Sequence, residues 1–395
     1  MTDRSKLAVF SSSLRTILVA AVLTGAHASH AQMTAMVAVD PSSPKDALGS
    51  AYVDLSVSLA KATGQDVRVD RNTNFADVLR STRTGEYDIY VVPPHVAASA
   101  LSHGYISLAA TDKVETFVLV AKPGVASVKQ LKGTKLYLAQ QDSIYSYMAK
   151  GLLNEAGVSI HEAGDVQYKN TSGAGLIAVS LGVAHATVVR KAEYQEWARN
   201  QSTKLVVLLE SKQVPAGLTI LVKKTATDSQ RERLSKWAVG SNPAQSGLGK
   251  LRLTTPQDSA GYEYLGGLGH FTPGQLAGVT RISAKEAAEL IGQGAQMVDV
   301  RSEKEFKAKH IPGAASVPYL EKSVKDISFD AKVDDFSALD KLDKNKPTVF
   351  GCNGAECWKS YKASKVATER GFKKVYWLRG GLPEWEARGL PLAAD

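Results

Sequence analysis

The sequence predicts an α/β protein built from two folded domains. At 395 residues the chain exceeds the usual size of one domain core. Short β-like runs alternate with helical ones along most of its length, a pattern typical of sheets covered by helices. One glycine-rich stretch, residues 256–278, interrupts this alternation and is the predicted interdomain linker.

The first 31 residues have the layout of a secretory signal peptide. Arg4, Lys6 and Arg15 precede the apolar run ILVAAVLTGA, and small residues follow it up to Ala31. The run is about half of the ~20 residues that a membrane-spanning helix needs, so a cleaved signal is preferred to a permanent anchor. We therefore expect a bacterial protein that is periplasmic or otherwise exported and does not span the membrane after cleavage.

The chain is basic, with 48 Lys and Arg residues against 39 Asp and Glu residues. Its sequence has no clustered basic run with interleaved aromatic residues, so nucleic acid is not an expected partner. A mild positive field favours small anionic ligands, but on charge alone a merely soluble surface is the preferred explanation.

Residues 33–255 form the first predicted domain. Its predicted strands are TAMVAVD, DVRVD, DIYVV, FVLVA, TKLYLAQ, ATVVR, LVVLLE and GLTILVKK. Its predicted helices are residues 46–63, NFADVLRSTRTGEY, SVKQLKG, residues 143–156, GLIAVSLGVA and residues 228–239. This alternation favours parallel sheets with helices on both faces.

Residues 279–395 form the second predicted domain. It begins with the helix SAKEAAELIGQG and continues with the strands QMVDV and PTVFG. A helix at about 359–370 and the strand KVYWL follow. The only two cysteines of the chain lie between the strand PTVFG and that helix.

These two cysteines, Cys352 and Cys357, are the strongest chemical signal in the sequence. A thiol between a strand end and a helix start faces unpaired backbone N–H groups and the positive end of the helix dipole, which favour the thiolate. Lys359 adds a positive charge that we expect to stabilise an anion. A disulfide across so short a loop removes little entropy from the unfolded chain. A structural disulfide that stabilises the fold is therefore a poor explanation of the pair. No metal site or cofactor is predicted, because no His or carboxylate pair lies near the cysteines in sequence.

The second domain resembles the rhodanese family. The resemblance rests on VDVRSEKEFKAKHIPGA at 298–314, on VFGC at 349–352 and on GFKKVYWLRGGLPEWEARGLPL at 371–392. It implies a single α/β rhodanese-like domain in which Cys352 accepts sulfane sulfur as a persulfide, with thiosulfate as the usual donor. It also implies that Asp299, Arg301 and Glu305 brace the sheet near the cysteine loop.

The cysteine loop departs from the family pattern. The family carries an Arg and a Ser after four loop residues, whereas Lys359 and Ser360 stand seven and eight positions after Cys352. The loop resembles that of exported rhodanese-like proteins with the pattern CxxxxCW, and its remaining residues are Asn353, Gly354, Ala355, Glu356 and Trp358. Cys357 either resolves a persulfide on Cys352, guards Cys352 from over-oxidation, or is a small buried helix residue.

The first domain resembles periplasmic solute-binding proteins of the phosphate and phosphonate uptake type. The resemblance rests on FADVLRSTRTGEYDIYVVPPHVA, SVKQLKGTKLYLAQQDSIYSYMAKGLLNEAGV and SGAGLIAVSLGVAHATVV. It implies a two-lobed type II periplasmic-binding-protein-like fold, whose lobes are joined by two crossing strands and close on a ligand.

The candidate ligand-binding residues lie at two predicted helix starts. They are Ser143, Tyr145, Ser146, Thr171 and Ser172. Hydroxyl groups and helix N–H groups at such positions bind tetrahedral oxyanions. For Asp142, Ser143 and Ser172, a role as ordinary helix N-caps is preferred to ligand contact, since caps are required at every helix.

Three functions remain open on the sequence. The first is an exported sulfurtransferase that uses Cys352, coupled to a domain that binds a sulfur-bearing or phosphorus-bearing anion; a periplasmic thiol would be its acceptor or reductant. The second is a non-catalytic solute-binding or sensor protein with a degenerate rhodanese module. The third is a thiol-disulfide enzyme that uses Cys352 and Cys357, although the usual C-x-x-C spacing is absent.

Overall fold

The computed structural model describes residues 32–38, 51–169, 171–240, 248 and 250–395. The predicted signal peptide and residues 46–50 of the first predicted helix lie outside these ranges. Residues 32–395 form one compact unit. In the described ranges, we find no helix with both the length and the apolar character needed to cross a bilayer.

The N-terminal domain contains two lobes, each built on one sheet. Its strands, in chain order, are β1 (Met33–Ala38), β2 (Val67–Asn72), β3 (Ile89–Val92), β4 (Tyr105–Thr111), β5 (Val114–Glu115), β6 (Phe117–Ala121), β7 (Lys135–Ala139), β8 (Asp165–Lys169), β9 (Ala186–Arg190), β10 (Val206–Glu210), β11 (Val214–Pro215), β12 (Thr219–Lys223) and β13 (Leu251–Leu253). Its helices are α1 (Ala51–Thr63), α2 (Phe75–Thr84), α3 (Pro94–Ser102), α4 (Ile144–Glu155), α5 (Gly173–Ser180), α6 (Lys191–Arg199), α7 (Asp228–Val239) and α8 (Ser259–Gly267).

The sheet of lobe 1 has the order β13, β4, β12, β3, β1, β2, and the sheet of lobe 2 has the order β10, β6, β9, β7, β8. The chain crosses from lobe 1 to lobe 2 after β4 and returns before β12. Strands β5 and β11 pair with each other as a short antiparallel ribbon at these crossings. This arrangement confirms the predicted two-lobed fold.

The expectation of parallel sheets holds for only part of this domain. Strand β12 is antiparallel to both β3 and β4, and β6 is antiparallel to both β9 and β10. The physical reason is the crossing itself, because a strand that arrives from the other lobe enters the sheet against the direction of its neighbours. The predicted helix SVKQLKG is also shorter than expected and forms one 3₁₀ turn, Val128–Leu131.

Part of the predicted linker packs as a helix. Helix α8 lies inside residues 256–278, and Tyr262, Leu265 and Leu268 join the apolar core of the N-terminal domain. These three residues follow a helical spacing of three, which the surrounding glycines obscure in the sequence. The glycine-rich stretch therefore contributes to the first domain core before the chain reaches the second domain.

The C-terminal domain contains one parallel five-stranded sheet. Its strands are β14 (Thr280–Ile282), β15 (Gln296–Asp299), β16 (Ala315–Ser316), β17 (Thr348–Gly351) and β18 (Val375–Leu378), in the order β14, β18, β17, β15, β16. Its helices are α9 (Ala284–Gly292), α10 (Glu303–Ala308), α11 (Trp358–Glu369) and α12 (Gly381–Ala387). Phe350 and Val349 alternate along β17 and enter separate apolar clusters on the two faces, as a doubly covered strand requires.

A long segment between β16 and β17 is held by a buried lysine of α11. The Lys362 side chain has no exposed area, and its Nζ donates to the Ser323 carbonyl oxygen at 3.0 Å and pairs with Glu321 at 2.7 Å. Burial lowers the pKa of Lys362, while the Glu321 carboxylate acts in the opposite direction. Asp334 accepts from the Ser323 backbone N–H at 2.9 Å and so closes this network.

The C-terminal domain contacts both lobes of the N-terminal domain. On lobe 1, Arg83 of α2 pairs with Glu356 at 3.1 Å. On lobe 2, Lys325 pairs with Asp142 at 2.8 Å, and both side chains are about nine-tenths buried. Burial raises the pKa of Asp142, but the Lys325 ammonium outweighs it and the pKa is lowered overall. The domains are therefore joined by charges that have little access to water.

We predict that Lys325→Ala lowers the free energy of unfolding by about 3 kcal/mol, because it leaves the buried Asp142 carboxylate without its partner. Urea denaturation at neutral pH measures the change. Lys236→Ala, which removes an exposed pair with Glu232, is the control and should cost less than about 0.5 kcal/mol. The double change Lys325→Met with Asp142→Leu should recover most of the loss; a double variant as unstable as Lys325→Ala would contradict this explanation.

Candidate functional site

Cys352 lies at the carboxyl end of the central strand of the parallel sheet. Strand β17 pairs with β15 on one side and β18 on the other, and Cys352 follows it directly. Only 2% of Cys352 is exposed. In open α/β sheets, ligands bind outside the carboxyl ends of the strands, so the position itself favours a site.

Cys352 and Cys357 form a disulfide in the structure. Cys357 is the N-cap residue of α11, and its side chain makes no capping hydrogen bond. Cys357 is buried, as one interpretation of it requires, but it lies at the residue before the helix and is covalently paired with Cys352. In this oxidised state neither sulfur is a thiolate, so a reductant must act before Cys352 can react as a nucleophile.

Residues from two other segments hold the cysteine loop. Thr272 donates from its backbone N–H and its hydroxyl to the Ala355 carbonyl oxygen, each at 2.8 Å. The Trp358 indole N–H donates to the His270 carbonyl oxygen at 2.6 Å. The Leu382 backbone N–H donates to the Cys352 carbonyl oxygen at 2.8 Å. The loop is thus fixed by the stretch after α8 and by the start of α12.

Gly381 allows α12 to approach the loop. Its φ is +58°, and a Cβ there would overlap the Cys352 carbonyl oxygen and lie 2.6 Å from the Gly354 backbone nitrogen. No other residue type fits both the left-handed conformation and the close contact.

A cavity of about 610 Å³ lies beside the disulfide, and both domains line it. The C-terminal domain contributes the loop residues Cys352, Asn353, Glu356, Cys357 and Lys359 together with Arg301, Ser302, Glu303, Glu305, Pro318, Tyr319, Leu320, Glu321 and Lys325. The N-terminal domain contributes Asn74, Ala76, Asp77, Arg80 and Arg83 from one face of α2. The candidate site is therefore an interdomain site.

The Lys359 ammonium is the cation of this cavity with the fewest partners. Its Nζ lies 4.8 Å from the centre of the Tyr319 ring, and we find no ion pair or side-chain hydrogen bond for it within the described ranges. Burial lowers the pKa of Lys359, while Glu321, Glu305 and Asp299 act in the opposite direction. Ser360, the next residue, points away from the cavity and accepts from the Trp377 indole N–H at 3.0 Å.

The three residues expected to brace the sheet separate into two arrangements. Arg301 makes a two-point ion pair with Asp299, with contacts of 3.0 and 2.6 Å, and both side chains are buried. Glu305 instead accepts from the Asn353 side-chain amide at 2.6 Å. Burial raises the pKa of Glu305, but hydrogen bonds from Ser302 and the charge of Arg80 outweigh it and lower the pKa overall. Glu305 thus contacts the cysteine loop directly.

The candidate ligand-binding residues of the N-terminal domain have diverse partners. Tyr145 and Ser172 both donate to the Glu193 carboxylate, at 2.6 and 3.3 Å. The Ser146 hydroxyl lies 2.9 Å from the His270 Nε2 atom. The Ser143 hydroxyl is buried and makes no hydrogen bond within the described residues, although Ser143 is the N-cap residue of α4. Thr171 is exposed and adjoins residue 170, which lies outside the described ranges.

Sequence reasoning missed the arginines of α2. Phe75, Val78 and Leu79 are buried, whereas Arg80 and Arg83 lie on the opposite face at a helical spacing of three. This polar stripe is visible in the sequence, but an ordinary solvated helix face has the same pattern. Nothing in the sequence indicates that a second domain covers it.

Two family models match the chain in separate regions. The model of the rhodanese-like domain matches residues 283–388. The model of the periplasmic substrate-binding proteins of phosphonate ABC transporters matches residues 37–260.

Several curated relatives match the C-terminal domain. Thiosulfate sulfurtransferase 16, chloroplastic, of Arabidopsis thaliana is 30% identical over 115 residues, which are 29% of this chain and 92% of the relative. Thiosulfate sulfurtransferase GlpE of Pseudomonas savastanoi pv. phaseolicola is 32% identical over 107 residues, which are 27% of this chain and 87% of the relative. The HTH-type transcriptional regulator Rv0324 of Mycobacterium tuberculosis is 32% identical over 96 residues, which are 24% of this chain and only 36% of the regulator.

Solved structures resemble the N-terminal domain. PhnD1 of Prochlorococcus marinus, in complex with methylphosphonate, is 15% identical, with a TM-score of 0.47, and the match covers 60% of this chain and 96% of PhnD1. XAC2383 of Xanthomonas citri, bound to ATP, is 11% identical, with a TM-score of 0.49 and the same coverage.

We predict that Gly381→Ala destabilises the protein by about 1 to 3 kcal/mol, because the new methyl group adds backbone strain and displaces the cysteine loop. Gly389→Ala is a matched control, since Gly389 has a φ of +67° but no atom within 4 Å of the place that a methyl group would occupy. Thermal and urea unfolding measure both variants. Equal losses would show that the close approach to the loop contributes nothing.

We predict that stability falls as the pH drops from about 6.5 towards 3, partly because of His270. Burial, together with the nearby Lys150 ammonium, lowers the pKa of His270 from 6.5 to about 3, while the Asp142 carboxylate acts in the opposite direction and Lys325 adds to the lowering. The unfolded chain therefore binds a proton in this range that the folded chain excludes, so acid favours unfolding.

The free energy of unfolding of the wild type and of His270→Gln, measured at several pH values, checks this. The slope between pH 6.5 and 4 should be smaller in His270→Gln, because Asp142, whose pKa is lowered from 3.8, contributes only below that range. Parallel slopes in the two proteins would exclude His270 as the source.

Proposed function

The chain belongs to the phosphonate-type periplasmic substrate-binding proteins over residues 37–260 and to the rhodanese-like sulfurtransferases over residues 283–388, and on this premise we propose that it is an exported sulfurtransferase whose catalytic nucleophile is Cys352. Its anion-binding domain and its sulfurtransferase domain act in one molecule.

The observation that carries the proposal is the position of Cys352. It ends the central strand of the rhodanese-like sheet, precedes the start of α11 and lines a cavity of about 610 Å³. After reduction, the helix start favours the thiolate over the thiol, and Lys359 offers a positive charge for the incoming or departing anion. Asn353, Gly354, Ala355, Glu356 and Trp358 supply the fixed loop that keeps Cys352 at the cavity wall.

The proposed transfer needs only the thiolate and a sulfane donor such as thiosulfate. The Cys352 thiolate attacks the outer sulfur of the donor and forms a sulfur–sulfur bond to it. The sulfur–sulfur bond of thiosulfate breaks, and sulfite leaves with the electron pair. Cys352 then carries a persulfide, whose outer sulfur passes to a thiol acceptor.

Cys357 offers the persulfide a second reaction besides transfer to an acceptor. Its thiol loses a proton, its sulfur attacks the Cys352 sulfur, the bond to the outer sulfur breaks and hydrosulfide leaves. The product is the disulfide seen in the structure. A dithiol reductant must then supply two electrons and two protons to restore both thiols. This route makes Cys357 a resolving residue and explains why the two cysteines lie close enough to bond.

The N-terminal domain is proposed to bind a small sulfur-bearing or phosphorus-bearing anion. Its family favours a periplasmic location, and this supports export of the chain. The unpartnered Ser143 hydroxyl at the start of α4 is the best placed of the candidate ligand-binding groups to bind an oxyanion. Tyr145, Ser146, Thr171 and Ser172 remain proposed contacts of the same ligand.

Mass spectrometry of the reduced protein before and after thiosulfate tests the transfer. We predict that one additional sulfur atom is found on the Cys352 peptide. Cys352→Ser should abolish transfer to a thiol or cyanide acceptor, whereas Cys357→Ser should retain it and prolong the persulfide lifetime.

Two results would contradict the proposal. Reduced wild-type protein that takes no sulfur from thiosulfate, a polysulfide or an organic trisulfide would favour a non-catalytic binding role. Equal loss of transfer in both cysteine variants, with disulfide exchange in the wild type, would favour a thiol-disulfide enzyme.

A further inference from the structure

We propose that Arg83 and Arg80 of the N-terminal domain form, with Lys359, an anion-binding subsite at the Cys352 cavity, so that the sulfur donor is an anion held by both domains. The assignment of a donor rests on the proposed function, but the subsite itself does not. Both arginines are specificity-determining residues in this scheme, since they bind the donor and perform no bond chemistry.

Helix α2 presents these arginines to the cavity because one of its faces is apolar and the other is polar. Asn74 caps the helix by accepting from the Ala76 backbone N–H at 3.0 Å, and Gly85 ends it in the left-handed conformation. The apolar face packs on lobe 1. The opposite face, which carries both arginines, lines the cavity.

Arg83 has an incomplete set of partners. Its side chain is only 7% exposed, and its Nη1 pairs with Glu356 at 3.1 Å. Its Nε is buried and makes no hydrogen bond within the described residues. A buried guanidinium N–H without an acceptor is costly, and an anion in the cavity would supply the missing acceptor.

Arg80 is held loosely by comparison. Its Nη1 lies 3.4 Å from Glu86 and 3.7 Å from Glu305, and a third of its side chain is exposed. Lys359 has no ion-pair partner in the part of the chain that the structure describes. Two cations of the cavity thus retain capacity for a ligand.

The other charges of the cavity are already paired or face water. Arg301 is committed to Asp299, and Lys325 is committed to Asp142. Glu321 pairs with Lys362. Of the remaining acids, Asp77 and Glu303 are exposed residues. Glu305 accepts from Asn353 at 2.6 Å and lies 3.7 Å from Arg80, so it competes with an anion for Arg80. Glu356, whose side chain is 17% exposed, is the carboxylate of the cysteine loop that competes with an anion for Arg83.

The cysteine loop itself has no arginine between Cys352 and Ser360. An arginine provides two parallel N–H groups for an oxyanion, which a lysine cannot do. Arg83, which stands 273 positions before Glu356, supplies this group from the other domain. In the proposed subsite, Arg83 thus provides the guanidinium group that the loop lacks.

The test compares how an anionic and a neutral reagent alkylate the Cys352 thiol. The full chain carries Cys357→Ser, so that Cys352 stays reduced, and iodoacetate and iodoacetamide are the two probes. The rate ratio of iodoacetate to iodoacetamide cancels changes in thiol pKa, because both reagents need the same thiolate. A cationic subsite raises this ratio.

Glu356→Gln and the double variant Arg83→Ala with Glu356→Gln form the matched pair. Arg83→Ala alone would leave Glu356 without a partner and would repel anions for that reason. We expect Glu356→Gln to raise the ratio and the double variant to lower it by about three- to tenfold from that value, as expected for one charge near the reacting atom at protein-surface dielectric constants. Arg68→Ala, which removes an exposed arginine of β2 paired with Asp70, should leave the ratio unchanged.

Sulfur transfer by the corresponding variants with Cys357 intact separates the subsite from the proposed function. Loss of Arg83 from the Glu356→Gln protein should raise KM for thiosulfate with little change in kcat, and should not change KM for a neutral organic trisulfide. A fallen alkylation ratio in a protein that transfers no sulfur would support the subsite and refute the sulfurtransferase. Equal ratios in the matched pair, with both variants folded by circular dichroism, would overturn the subsite whether or not sulfur is transferred.

Discussion

The buried ion pair between Lys325 and Asp142 is the constraint on which the domain arrangement depends. Neither charge has enough water around it to be stable alone, so the C-terminal domain must dock where both are satisfied. Lys325 belongs to the segment that Lys362 of α11 anchors through Ser323 and Glu321. A continuous set of polar contacts therefore runs from the helix that follows Cys357 to lobe 2 of the N-terminal domain. With lobe 2 fixed in this way, α2 of lobe 1 also meets the cysteine loop, through Arg83 and Glu356.

The strand and the helix that flank the two cysteines could be predicted from the sequence, because the patterns that indicate them are local. The run PTVFG forms β17, the two cysteines follow it, and α11 begins within one residue of the expected start. Apolar residues and a helix start are short-range features. The sequence does not decide whether the disulfide forms, since a spacing of five positions permits the bond without requiring it. The residues that hold the loop, His270, Thr272 and Leu382, lie in distant segments, so no local pattern indicates the shape of the loop.

In the N-terminal domain, local patterns identified the elements but not their directions or partners. The apolar pattern of β12 is that of any buried strand, and only the crossing between lobes makes it antiparallel. Helix α3 was missed because Pro93 and Pro94 indicate the end of a strand, although proline at the first position of a helix is favourable. Tyr145 and Ser172 were assigned to a ligand, and the structure shows that both also contact Glu193, a residue that no short-range pattern connects with them.

The position of α2 at the cysteine cavity limits how freely the two domains can be separated or exchanged. A wall of the cavity comes from a helix whose own apolar side belongs to the core of lobe 1, so that wall cannot be moved without the lobe. The covalent connection therefore does more than keep two domains at a high effective concentration. If the C-terminal domain were grafted onto another binding protein, its cysteine loop would be retained, but Asn74, Arg80 and Arg83 would be lost. The cavity stays intact only when the two fused domains are inherited or transplanted together.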